Sequence, residues 1–242
     1  MGWRLIVPVK GTPGAKSRFA PWLPDPAVRM RLASALAADT VAAAREADGV
    51  DELVVVAGGA VLPRFPSGVR LQRQDPSRPG LAAAVEEGLA GLGDGPCAVL
   101  LGDLPALRPE EIALALGRAD GTARGMVADA DAEGTVLLTA AAPELLVARF
   151  GGASAARHVA EGHVPLVPLV PLSGPGGRGR ARAVSGAVGG RRLHDREPLA
   201  GLRRDVDGAD ALRLADELGL GPATTALLER AQRSGALPAL AS

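Results

Sequence analysis

Apolar residues fall into two kinds of run along this chain. Short continuous runs at residues 3–9 (WRLIVPV), 52–57 (ELVVVA) and 97–101 (CAVLL) lack helical spacing and predict buried strands. Residues 69–72, 125–128 and 136–139 predict three more. Between them the spacing is helical. Asp25 and Pro26 make an N-cap and first-turn pair, predicting an Ala-rich helix to about Asp48. Residues 81–92, 109–117, 154–161 and 209–218 predict further helices. Strands separated by helices imply an α/β fold, with a mainly parallel sheet covered by helices on both faces.

The texture changes from Pro165. Residues 173–192 (SGPGGRGRARAVSGAVGGRR) are rich in Gly and Arg, with no period able to bury a face. They predict a flexible surface insertion within a single domain of residues 1–242, because the one helix-forming tail beyond cannot build a second core. Five arginines without an aromatic to stack on bases favour a solvated insertion over an RNA-binding patch.

Composition narrows the class. The hydrophobic fraction is 47% and the charged fraction 22%, which excludes a disordered chain. Lys+Arg and Asp+Glu are both 27, and a neutral chain is a poor coat for nucleic acid or an anionic membrane. The one cysteine, Cys97, excludes an intrachain disulfide or a Cys-based zinc site. Residues 1–10 turn polar too soon for a signal peptide, and no apolar run approaches ~18 residues. The expectation is a cytoplasmic protein, monomeric or homodimeric, with no nucleic-acid or membrane partner. Arg has displaced Lys almost everywhere, yet Lys10 and Lys16 survive in one loop. That points to sites needing a compact ammonium rather than a planar fork.

Residues 7–18 (VPVKGTPGAKSR) put a Gly-containing loop after the first strand. Walker A spacing requires glycines where Ala15 and Lys10 stand, and Pro21, Pro24 and Pro26 postpone the helix. A P-loop is therefore excluded. Backbone amides of residues 11–15, with Lys10, Lys16 and Arg18, still suit a nucleoside triphosphate. Asp103 directly follows an apolar strand, where open α/β sheets bind ligands. Asp205 and Asp207 alternate along LRRDVD, on one side of a short extended segment. Each acid alone could be a turn or cap residue. Together with a phosphate loop they suit Mg²⁺, which takes carboxylate and phosphate oxygens.

Six blocks carry a resemblance: VPVKGTPGAKSRF, GLAAAVEEGL (80–89), LLGDLPALRPEE (100–111), DAEGT (131–135), FGGASAARH (150–158) and LRRDVD (202–207). In this order they resemble the 2-phospho-L-lactate guanylyltransferase family, whose actinobacterial members use phosphoenolpyruvate. The resemblance implies a GT-A-like (MobA-like) nucleotidyltransferase fold with a mainly parallel seven-stranded sheet. It implies condensation of GTP with phosphoenolpyruvate, 2-phospho-L-lactate or 3-phosphoglycerate, releasing pyrophosphate, in assembly of the deazaflavin coenzyme F-420. Mg²⁺ would be held by Asp103 and Asp207 with Asp205 nearby, and catalysis would rest on Lys16, Arg18 and Asp103. The nucleotide would meet Pro8, Val9, Lys10, Lys16, Gly80 and Leu81. The acceptor would meet Thr135, Gly151, Ser154 and Arg157, where Ser154 is expected to cap a helix carrying Arg157 and His158 in its first turn.

This chain departs from the family at three places. Ala82 stands where Asn is usual, Val136 follows directly where a second Gly-Thr is usual, and Gly208 replaces Thr. Two alternatives remain open. A molybdopterin guanylyltransferase or sugar-phosphate cytidylyltransferase would share the fold, but its Arg-Met-Gly run is absent. A catalytically decayed nucleotide-binding module would have less reason to keep all three acids.

Overall fold

The strands end within a residue or two of where the apolar runs place them. The computed structural model describes residues 2–11, 16–59, 62–172 and 199–233. Its strands are β1 (Trp3–Gly11), β2 (Val50–Gly59), β3 (Val69–Arg73), β4 (Cys97–Leu100), β5 (Arg124–Ala128), β6 (Thr135–Ala140) and β7 (Val164–Pro165). The helices are α1 (Pro26–Glu46), α2 (Leu81–Ala90), α3 (Pro109–Ala119), α4 (Ser154–Ala160), α5 (Ala200–Arg203), α6 (Ala209–Leu218) and α7 (Pro222–Arg233). Three of these carried no expectation. β7 and α5 are too short to show a period, and adjacent Thr224 and Thr225 mask the helical pattern of α7. The segment 173–192 lies outside the described residues.

One seven-stranded sheet has the order β3-β2-β1-β4-β6-β5-β7. β1 runs parallel to both β2 and β4, and β2 parallel to β3. β6 is antiparallel to β4 and β5. The cause is local: β5 and β6 are joined by the tight turn 129–134, in which the Asp129 carboxylate accepts from Glu133 N and Gly134 N. A connection that short joins only antiparallel strands.

Alternation along β1 divides the core. Leu5, Val7 and Val9 face a layer that includes Ala37 and Val41 of α1 and Ile112 of α3. Ile6 faces the other way, with Ala84 and Val85 of α2 and Ala155 of α4. A third cluster joins Phe19 and Leu32 to Val206, Leu212 and Leu228, which fixes α6 and α7 outside α1. Asp25 caps α1 as expected, accepting from Ala27 N at 2.8 Å. No helix among the described residues is long and apolar enough to cross a membrane.

The outer layer depends on one buried acid. Asp39, 5% exposed on α1, accepts from Ala223 N and Thr224 N of α7, each at 2.8 Å. It satisfies two of the amide donors that a helix start leaves unpaired. Asp39→Ala should destabilise the protein by about 1–3 kcal/mol, the cost of leaving buried donors unmet. Chemical denaturation checks this, and an unchanged midpoint would mean that the two bonds add no net stability.

Candidate functional site

Strand order reverses at β1, since the chain passes to β2 and β3 on one side and returns to β4 on the other. The carboxyl ends of β1 and β4 therefore frame a crevice, the usual ligand position in open α/β sheets. A cleft of about 390 Å³ opens there. Pro8, Val9 and Lys10 line it from β1, and Gly102 and Asp103 from the loop after β4. Gly102 permits the approach, because a Cβ there would press within 3.0 Å of the Pro8 carbonyl oxygen. The residue after Asp103 is pinned as well. Leu104 N donates to Thr40 Oγ1 at 2.9 Å, and that hydroxyl donates to Leu36 O of α1.

Lys16 enters from the loop after β1. Its φ of 57° is the left-handed conformation, which a non-glycine residue adopts at a cost of roughly 1 kcal/mol or more. The turn feeds the one-turn helix Ser17–Phe19, whose Phe19 is fully buried and anchors the loop. Lys16 Nζ donates to Asp103 Oδ2 at 2.6 Å, Val206 O at 2.6 Å and Asp207 Oδ1 at 3.2 Å. Burial works against the ammonium, but the Asp103 and Asp207 carboxylates outweigh it and hold the pKa above its ordinary value. Arg18 Nη1 donates to Asp207 Oδ2 at 2.9 Å from the exposed rim. Asp103 Oδ1 is buried with no hydrogen-bond partner among the described residues.

Asp207 reaches this cluster because the segment before it is tied down. Val206 N donates to Asp103 O at 3.0 Å. Glu111 of α3 accepts from Gly201 N of α5 and from Arg108 N, and burial pushes its carboxyl pKa up. Arg203 is buried, and its guanidinium donates to Ala128 O, Asp129 O and Val170 O. Residues 204–206 are not a regular strand. Asp207 lines the cleft and Asp205 does not. Burial raises the Asp205 carboxyl to about 7, with the like charges of Asp103 and Asp207 adding to it. Among the described residues no three acidic, His or Cys side chains converge as a metal cage. Of the three expected acids, Asp103 and Asp207 are bridged by Lys16, while Asp205 lies off the cleft lining yet near enough for their charges to act on it.

The expected nucleotide contacts converge. Pro8, Val9, Lys10, Lys16, Gly80 and Leu81 all line the cleft, together with Arg18, Asp103 and Asp207. Residues 12–15, with their backbone amides, lie outside the described residues. Thr135, Gly151, Ser154 and Arg157 do not line it; they lie on α4, just before it or, for Thr135, against its His158. Leu101 N donates to Val136 O at 2.9 Å, which puts Thr135 at the same sheet edge as Asp103.

The capping expectation needs correction. Ala153, at φ 52°, is the N-cap, Ser154 is the first helical residue, and α4 is only seven residues long. Arg157 and His158 consequently fall in its last turn. His158 is fully buried, with Nδ1 2.8 Å from Thr135 Oγ1, and its Nε2 accepts from Arg149 N at 2.7 Å.

Sequence reasoning assigned no role to Gln74, Gly102, Thr40 or His158. For Gln74 and Gly102 the available signal was position, a residue just past the carboxyl end of a strand.

The sequence profile described as a MobA-like NTP transferase domain matches residues 30–200. The chain is 40% identical to the phosphoenolpyruvate guanylyltransferase of Geodermatophilus obscurus over 240 residues, covering 96% of each chain. It is 41% identical to that of Streptomyces scabiei over 239 residues, covering 95% of this chain and 97% of the relative. The chain belongs to the phosphoenolpyruvate guanylyltransferase family. It is therefore a nucleotidyltransferase of the guanylyl-transferring kind. A solved nucleotidyl transferase from Methanothermobacter thermautotroptrophicus shares the fold, with a TM-score of 0.54 at 20% identity, covering 90% of this chain and 97% of that one. The seven-stranded, mainly parallel sheet agrees with the expected nucleotidyltransferase fold.

In this guanylyltransferase fold His158 carries a pH signature. Burial, and then the charges of His163 and Arg157, hold its pKa down to about 4. An unfolded imidazole takes its proton near pH 6.5. Between those values the unfolded chain gains a proton that the folded chain refuses, so stability should fall as pH drops through this window. His158→Gln should show a shallower fall in denaturation midpoint between pH 7 and 4.5; an identical slope would remove His158 as its source.

Proposed function

We propose that the cleft binds GTP, that the acceptor is phosphoenolpyruvate, and that guanylyl transfer releases pyrophosphate. The observation that carries this reading is the meeting of Lys16, Arg18, Asp103 and Asp207 on one flank of the crevice beside β1. The relatives' names favour phosphoenolpyruvate over 2-phospho-L-lactate and 3-phosphoglycerate. Its place in coenzyme F-420 assembly rests on the resemblance alone.

A phosphate oxygen of the acceptor attacks the α-phosphorus in line. The new P–O bond forms as the bond to the β-phosphate bridging oxygen breaks, and that electron pair leaves with pyrophosphate. Nothing covalent is asked of the protein, so its contribution is position and charge. Lys10 and Arg18 lie exposed at the rim, where they receive the phosphates. Lys16 has all three donors engaged. It neutralises phosphate charge by exchanging a carboxylate partner for a phosphate oxygen.

The acids suit a divalent cation. Asp103 and Asp207 share a single ammonium, and Asp103 Oδ1 is buried without a partner among the described residues. We assign Mg²⁺ to these two carboxylates, with Asp205 behind them. Bound Mg²⁺ supplies positive charge to the phosphate oxygens. The acceptor falls to Thr135, Gly151, Ser154 and Arg157, where Gly151, at φ 116°, lies beneath the Arg157 guanidinium.

Pyrophosphate release should require GTP among the four nucleoside triphosphates, with Mg²⁺ and phosphoenolpyruvate present. Release from another nucleotide, or none, would overturn the assignment. Asp103→Asn should fold normally yet lose at least ~10²-fold in turnover, the scale of removing one preorganised electrostatic contact. Ser154→Ala should raise KM for the phosphoacid by ~10- to 100-fold, as for a hydrogen bond to a charged ligand, with KM for GTP nearly unchanged. Equal shifts in both constants would move this segment to the nucleotide.

A further inference from the structure

The cleft has two flanks, separated by β1. Charge gathers on the β4 flank, where Lys16, Asp103 and Asp207 meet. The opposite flank comes from the end of β3 and the start of α2, where Leu81 and Ala84 supply apolar surface and Gly80 and Gln74 the polar groups. If phosphates occupy the first flank, as the proposed function requires, the base occupies the second. Among the described residues Gln74 is the one uncharged carboxamide lining the cleft.

Its orientation is fixed. Gln74 Nε2 donates to Arg78 O and to Gly80 O, each at 2.8 Å, which engages both amide hydrogens and settles which end is oxygen. Its backbone N–H donates to Ala57 O at 2.9 Å. Oε1 accepts no hydrogen bond among the described residues. It lies against the bare α-carbon of Gly58, where a Cβ would come within 2.7 Å of Oε1 and would otherwise meet only the same side chain, at 3.8 Å or more. A held carboxamide with a free oxygen is an acceptor that cannot turn into a donor.

We infer that Gln74 selects the base of the nucleotide, its Oε1 accepting from the N1–H and 2-amino edge of guanine. Adenine presents an N1 lone pair to the same place, and an acceptor facing an acceptor leaves both unsatisfied. Gly58 is the positioning residue, since only glycine leaves room for Oε1.

Equilibrium binding of GTP and ATP in the presence of Mg²⁺ tests this without turnover. The wild-type protein should prefer GTP. Gln74→Leu should cut that preference about 10-fold or more by weakening GTP while leaving ATP nearly unchanged. Gly58→Ala, at a residue outside the cleft lining, should shift the preference in the same direction by displacing the carboxamide. Its result decides the matter if Gln74→Leu lowers the melting temperature. A GTP:ATP preference equal to wild type in Gly58→Ala and in a folded Gln74→Leu would overturn the assignment, as would a wild-type protein that binds both nucleotides alike. Guanine-selective binding without pyrophosphate release would count against the proposed reaction and leave the role of Gln74 standing.

Discussion

One ammonium group holds the active cleft in shape. Lys16 Nζ joins segments 87 and 190 residues away in sequence, through Asp103 and the Val206 carbonyl. Asp103 and Asp207 would repel each other at this separation without a cation between them. The Lys16 side chain is only 10% exposed, so removing it from water costs several kcal/mol in principle. Three short contacts offset that cost, and the raised pKa says that the charged form prevails. The left-handed turn at Lys16 belongs to the same arrangement. Backbone strain in the loop is tolerated because Phe19 is locked into the core directly after it.

The sheet makes this meeting possible. Parallel strands end at one edge, and the reversal at β1 leaves that edge open between loops leading in opposite directions. A side chain after Leu101 would crowd the Pro8 carbonyl, so Gly102 presses against β1 and carries Asp103 to its end. Thr40 and Glu111, neither of them in the cleft, then fix the loop after Asp103 and the start of α5. The geometry of the cleft thus depends on α1 and α3 as much as on the loops that display it.

Much of this was legible in the sequence. Continuous apolar runs marked β1, β2 and β4, because a strand buried on both faces has no alternation to show. Asp103 was legible as an acid directly behind such a run. Asp205 and Asp207 were less so, because an even spacing shares a face only in an extended chain, and residues 204–206 are not a regular strand. β6 reversed direction for a reason confined to its turn, where Asp129 caps two amides. Gln74 sits in no motif. Its meaning comes from the carbonyls of Arg78 and Gly80 and from the missing side chain at Gly58, which meet only in the folded chain.

Hydrogen-bond polarity extends the same logic to the acceptor side. The Arg149 amide donates to His158 Nε2, so that nitrogen holds the lone pair and the neutral ring carries its proton on Nδ1. Nδ1–H then donates to Thr135 Oγ1, and the threonine hydroxyl keeps its own hydrogen for another acceptor. A protonated, cationic ring would be opposed by burial and by nearby Arg157 and Arg149. The buried imidazole therefore works as a fixed neutral dipole that leaves the Thr135 hydroxyl a donor, at the residue proposed to meet the acceptor. A donor is the polarity an anionic phosphoacid requires. On the other flank a held carboxamide keeps an acceptor, the polarity that guanine requires. In both places the fold sets donor or acceptor by engaging the rest of the group's hydrogen bonds within the protein, with backbone carbonyls at Gln74 and with a buried imidazole at Thr135.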